Sequence, residues 1–261
     1  MALRTADLLR SKVRLYGLTR RSDDVPKLRA HGIVPIVGDL DQLATLRRLR
    51  AAPFAVLHFA PPPSEGRDDP RTQRLIAVLA RARSIPQRFV YISTSGVYGD
   101  CAGAKVSEMR PRRAQTPRAH RRVAAEDRLR DWAKRYGVTL SILRAPGIYA
   151  ETRLPLERLK LGTPVLTPDD DVFTNHIHAE DLARATVAAL FHAKPNRAYN
   201  VTDDAERRLA PMLLSFMGES RRLINTRMKR ELRVRLKYPT PQRLFDEAAP
   251  RDLKKQLNLP L

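Results

Sequence analysis

From Ala2 to Leu143 the chain alternates between two spacings of its apolar positions. Runs of consecutive apolar residues at Val13–Thr19, Ile33–Val37, Ala55–Phe59, Phe89–Ile92 and Thr139–Leu143 suit strands covered on both faces. Between them apolar residues recur every three or four positions: Leu3, Ala6 and Leu9 within Ala2–Lys12, then Val25–His31, Leu43 with Leu46 and Leu49, and Arg71–Ala82. A further helix, Val123–Tyr136, carries Leu129, Trp132 and Tyr136 on one side. Gly32 and Gly137 supply helix stops. Strands alternating with helices at this spacing predict a parallel, doubly wound α/β sheet with right-handed crossovers.

After Arg144 the regular beat stops. Proline-bearing stretches at Leu154-Pro155 and Thr163 to Pro168 predict an excursion from the sheet. The segment Asn175–Leu182 is expected to open another helix and Ala198–Val201 a short strand, and from Asp203 onward the chain reads as basic and helical. The expected organisation is a sheet domain over residues 1–150 and 172–204, with a small lobe from residues 151–171 and 205–261.

A hydrophobic content of 43% supports a core, and no apolar run approaches the ~18 residues of a membrane helix. The first residues lack the apolar stretch of a secretory signal, so a cytoplasmic location is the expectation. A single cysteine, Cys101, rules out an internal disulfide framework and a multi-cysteine zinc site. Charge changes the picture more. With 49 basic against 28 acidic residues the net charge is +21, which permits contact with phosphates or nucleic acid. Of the basic residues 39 are arginine, spread from Arg4 to Arg251 rather than gathered into a tail, which argues against a nucleic-acid-binding arm. Denser patches fall at Arg110–Arg122 and Arg221–Lys237, where forked guanidiniums can clamp phosphate.

The segment Arg88–Asp100, RFVYISTSGVYGD, concentrates the candidate chemistry. A buried strand runs into Ser93, Thr94 and Ser95 at its carboxyl end, where open α/β sheets place their ligand crevice, and Gly96 eases the exit. The three hydroxyls are expected to face a ligand.

Five blocks in order resemble the extended short-chain dehydrogenase/reductases, the NAD-dependent epimerase/dehydratase family. They are Gly38-Asp39-Leu40, His58-Phe59-Ala60, Tyr91–Asp100, Leu143-Arg144 with Pro146–Tyr149, and His178 with Asp181-Leu182. The resemblance implies a Rossmann-like fold, an NAD or NADP cofactor and a small-molecule substrate such as a nucleotide sugar. Arg20 and Arg21 would sit by the adenosine ribose and favour NADP through its 2′-phosphate. Asp39 and Leu40 would flank the adenine, Ala60 and Pro61 would pass the pyrophosphate, and Pro146, Gly147 and Ile148 would line the nicotinamide end. Thr94 would hydrogen-bond a substrate oxygen, and Ser95, Arg221 and Arg222 would face the substrate. A homodimer through two helices of the sheet domain is also implied.

Two departures qualify these expectations. The family's Tyr-x-x-x-Lys pair falls on Arg118 and Arg122, and an arginine keeps its proton, so it can orient an oxygen but cannot shuttle protons. Tyr98 is the candidate replacement for the phenol. The chain also starts within the helix that follows the family's first strand and Gly-rich turn, which places both upstream of Met1 and suggests a longer natural protein. Without that strand, which lies centrally in a doubly wound order, the sheet should split.

Overall fold

The computed structural model of the chain describes residues 1–50, 53–151, 172–205, 207–208 and 219–248. Its twelve strands are β1 Leu15–Thr19, β2 Ile33–Val37, β3 Ala55–His58, β4 Arg88–Thr94, β5 Lys105–Val106, β6 Thr139–Ala145, β7 Gly147–Tyr149, β8 Phe173–Thr174, β9 His176–His178, β10 Arg197–Asn200, β11 Arg207–Arg208 and β12 Arg222–Leu223. The first four helices are α1 Ala2–Leu9, α2 Val25–Ala30, α3 Pro70–Leu79 and α4 Pro117–Tyr136; further helices span Ala179–His192, Thr226–Glu231 and Pro241–Ala248. No helix among the described residues is long and apolar enough to cross a membrane.

The main sheet is parallel in the order β10-β6-β4-β3, as the alternation of strands and helices requires. Strands β1 and β2 form a separate parallel pair, and among the described residues neither joins the main sheet. The sheet is therefore split between β1 and β3, as expected when the central strand of a doubly wound order is missing from the pairing. Apolar layers still bind the halves. Leu15, Ala55 and Leu57 pack against the core cluster on one face, and Leu18, Val56 and Ala60 against that on the other. Arg71, at the start of α3, donates to both oxygens of Asp41 beyond β2 and to the carbonyl of Pro61 beyond β3, which ties the carboxyl ends of the two pieces together.

Two layers make the core. On one face Val90, Ile92 and Leu143 meet α1 and Ala179–His192, through Leu9, Leu182, Ala185 and Ala189. On the other, Phe89, Tyr91, Leu140 and Ile142 meet Leu75, Val78, Leu129 and Trp132 of α3 and α4. Burying each large side chain contributes about 1.5–3 kcal/mol.

Three elements depart from the apolar pattern for local reasons. Helix α4 begins at Pro117, six residues before the apolar spacing indicates, because its first turns are arginine-rich; Thr116 caps it by accepting from the Ala119 amide at 3.2 Å. His176–His178 pairs in parallel with Gly147–Tyr149 instead of starting a helix, and His178 becomes the cap of the helix that follows. Strands β5 and β12 form a small parallel pair, and β12 falls in the part of the chain expected to be helical. Gly99, at φ 68°, closes the turn after β4, and a Cβ there would lie 2.1 Å from the Arg113 carbonyl oxygen, so this position accepts only glycine. The proline-bearing stretches Leu154-Pro155 and Thr163 to Pro168, and most of the expected lobe, lie outside the described residues.

Candidate active site

All four strands of the main sheet run in one direction, so the loops after β3, β4 and β6 leave from the same end. Thr94 and Ala145 are register partners at that edge, which puts Thr94 beside the start of Pro146-Gly147-Ile148. Thr94 is half-buried and caps the short 3-10 turn Ser95–Tyr98, its hydroxyl accepting from the Gly96 amide at 3.3 Å. That bond uses an acceptor lone pair and leaves the hydroxyl proton for a ligand oxygen.

The neighbouring hydroxyls differ. Ser93 is buried and donates to Glu126 Oε1 at 2.7 Å. Ser95 is buried, and its carbonyl accepts weakly from Arg221 Nη1 at 3.5 Å, which brings together two of the expected substrate residues. Arg221 is also held by Glu219. Arg222 does not join them: its guanidinium donates to the Gly103 carbonyl at 2.7 Å and lies 4.7 Å from the Phe173 ring centroid.

Tyr98 lies in the core, donating to Asn200 Oδ1 at 2.7 Å and accepting from Arg144 Nη1 at 2.9 Å. Burial raises its pKa, so the phenol stays protonated and its proton is committed to Asn200. The same Arg144 forms a buried pair with Glu126 at 2.7 and 3.1 Å. Burial raises the Glu126 pKa and the hydrogen bond from Arg144 lowers it, with the net displacement downward. Ser93, Glu126, Arg144, Tyr98 and Asn200 thus form one hydrogen-bonded network linking β4, α4, β6 and β10, which Arg112 joins from Nη1 to Glu126 Oε2 at 3.4 Å.

Three arginines lie in the first turns of α4. Arg118, Arg121 and Arg122 are spaced to share one helix face. Arg122 is buried and donates from Nη1 to the Tyr91 hydroxyl at 3.0 Å and to the Ile92 carbonyl at 2.9 Å, while its Nε has no partner. Arg121, also buried, donates to the Gly66 carbonyl at 2.6 Å, and its Nε too has no partner. Among the described residues, every oxygen these two guanidiniums meet is neutral. Desolvation, then the charges of Arg122 and Arg121, lower the pKa of Arg118. Beneath Tyr91, His58 is pushed down to about 3 by burial and by Arg122, and is neutral. Its Nε2 sits 2.9 Å from Thr72 Oγ1, whose own proton goes to Asp69, so Nε2 carries the hydrogen.

The adenosine-end candidates are arranged as a rim. Arg20 and Arg21 are exposed just past β1, and Arg21 lies 3.7 Å from Asp23. Asp39 is half-buried and accepts from the Asp41 amide at 2.9 Å. Leu40 packs into the core with Leu46 and Leu75. Ala60 is half-buried and Pro61 exposed, beside Arg71. No glycine-rich turn for a dinucleotide pyrophosphate occurs among the described residues, and the sheet is split where that turn would lead into it.

Arg121 and the Glu126–Arg144 pair were not among the expected site residues. Arg121 could have been found from its spacing of three and one from Arg118 and Arg122; the ion pair joins residues 18 apart and has no local signal.

A family model described as "NAD dependent epimerase/dehydratase family" matches residues 4–202. Human dTDP-D-glucose 4,6-dehydratase is 24% identical over 160 residues, covering 57% of this chain and 45% of the relative, so the match spans less than half of that protein. A functionally unknown conserved protein from Silicibacter pomeroyi superposes with TM-score 0.75 at 27% identity, over 99% of this chain and 95% of that one. The UDP-glucuronic acid 4-epimerase of Bacillus cereus, solved with NAD, has the same fold, with TM-score 0.70 at 20% identity over 98% and 95% of the two chains.

Proposed function

The chain belongs to the NAD-dependent epimerase/dehydratase family, and from that premise we propose that it binds NAD or NADP and acts as an oxidoreductase of epimerase/dehydratase type on a nucleotide sugar or related carbonyl or alcohol substrate. The observation that carries this reading is the pair Arg121 and Arg122. Two buried guanidiniums that meet only neutral oxygens among the described residues, at the ligand end of a parallel sheet, leave positive charge to be met by an anion. Dinucleotide phosphates and a nucleotide-sugar diphosphate have that charge.

When bound, the nicotinamide supplies hydride chemistry. In this reading Thr94 donates its hydroxyl proton to a substrate oxygen and orients it. Arg118 and Arg122 hold developing negative charge without exchanging protons. Arg20 and Arg21 favour the 2′-phosphate of NADP, Asp39 accepts from the adenine, Pro146–Ile148 border the nicotinamide, and Ser95 with Arg221 faces the substrate. Tyr98 is assigned to the network that supports the β4 turn.

A second reading is favoured by the same replacement of phenol and ammonium by arginines: a catalytically inactive NADP-binding relative acting as sensor or scaffold. Turnover assays with UDP- and dTDP-sugars and both cofactors decide between them. The enzyme reading expects turnover that Thr94→Ala lowers by tenfold or more with cofactor affinity unchanged. Cofactor binding with no turnover in either protein would establish the second.

A further inference from the structure

A cavity of about 780 Å³ opens at the outer edge of the main sheet, bounded by the end of the helix Ala179–His192, the start of β10, the residues after β5 and the segment Ile224–Arg233. It lies toward the amino end of β10. Arg197 is level with Val90 through Ser141, four residues before Thr94, so this is a different place from the crevice above.

The lining carries five cations, Lys194, Arg197, Arg227, Arg230 and Arg233, against two carboxylates, Glu108 and Glu231. Both carboxylates are engaged. Glu231 receives Arg197 at 2.8 and 3.2 Å and the Tyr199 hydroxyl at 3.0 Å; Glu108 receives the Asn200 amide at 2.9 Å and faces Arg227 Nε at 3.6 Å. Arg230 and Arg233 are exposed and form no ion pair among the described residues, and the Lys194 side chain adds a further charge. Two guanidiniums with no ion pair among the described residues thus line a concave space, together with the Lys194 ammonium, whose charge also acts on Glu231.

Arg233 adds a second, independent observation. It follows the helix Thr226–Glu231 in the left-handed conformation, at φ 57°, where glycine is the usual residue. A side chain kept at a position that costs backbone energy points to a use for that side chain.

We propose that this cavity binds a small anion with two adjacent phosphates, a diphosphate or nucleoside diphosphate, held by Arg230, Arg233 and Lys194. Two forked guanidiniums and an ammonium match paired phosphate oxygens, and the volume lies within the range of small-ligand sites, ~300–1,000 Å³. The site does not depend on cofactor binding or on chemistry at Thr94.

The test is calorimetric titration of the full chain with inorganic pyrophosphate at low and high salt, with inorganic phosphate and a single-stranded oligonucleotide as parallel arms. Pyrophosphate should bind more tightly than phosphate and weaken with salt. In Arg230→Gln/Arg233→Gly its affinity should fall by about tenfold or more, since a hydrogen bond to a charged group is worth about one decade. Circular dichroism confirms that the variant is folded, and glycine suits position 233. Unchanged affinity in this variant would overturn the proposal, as would loss of binding only in Arg20→Gln/Arg21→Gln. An oligonucleotide that binds and is not displaced by pyrophosphate would overturn it in favour of a nucleic-acid surface.

Discussion

Replacing Glu126 by alanine removes the carboxylate that neutralises Arg144. Both side chains are almost fully buried, with Glu126 at 0% and Arg144 at 3% exposure, so water cannot substitute for the lost partner. Three strong hydrogen bonds disappear at once, from Ser93 at 2.7 Å, Arg144 Nε at 3.1 Å and Arg144 Nη2 at 2.7 Å, and with them a weaker one from Arg112 Nη1 at 3.4 Å. Breaking a buried pair from one side costs about 3–5 kcal/mol, mostly because a charge is left uncompensated. Among the described residues the Arg144 guanidinium then keeps only the Tyr98 hydroxyl as a hydrogen-bond partner. Urea denaturation followed by circular dichroism should show the midpoint moving down by that amount divided by the slope. The double variant Glu126→Leu/Arg144→Met should recover most of the loss, since no charge remains buried. A single-variant loss under about 1 kcal/mol, or a double variant no better than the single, would refute the reasoning.

Further outcomes follow from the same kind of argument. Asp203 is pushed up to about 8 by burial and by the nearby Asp204 and Asp181. Its folded pKa exceeds its unfolded one, so its contribution is complete below about 4 and is lost as pH rises through about 8; Asp203→Asn should flatten that part of a denaturation-versus-pH profile. Gly99→Ala should cost more than about 2 kcal/mol in denaturant unfolding, since its Cβ would meet the Arg113 carbonyl. Arg233→Gly should raise stability by about 0.5–1 kcal/mol, the left-handed backbone cost less the entropy of glycine. Thr116→Ala should lose about 1 kcal/mol with the cap of α4, read as a shift in thermal midpoint.

The strand and helix alternation was legible because buried parallel strands read as unbroken apolar runs, and β1 to β4, β6 and β10 lie within two residues of where those runs put them. Short pairs such as β5 with β12 and β7 with β9 were not, because two or three residues carry no period and their pairing partners are remote in sequence. The site was legible in part. Thr94 reaches the edge of the crevice and Ser95 meets Arg221, since a strand end fixes where its residues go. The directions of Ser93, Tyr98 and Arg222 depended on Glu126, Asn200 and Gly103, partners between 33 and 119 residues away, which no local spacing announces.

The account turns on whether a dinucleotide occupies the end of the sheet marked by Arg20, Thr94 and Arg122. Thermal unfolding with NADP, NAD or neither tests this most directly. A ligand at about 100 times its dissociation constant should stabilise the chain by about 2.7 kcal/mol, with NADP the more effective and its advantage abolished in Arg20→Gln/Arg21→Gln. A midpoint that neither cofactor moves at any concentration would contradict the account.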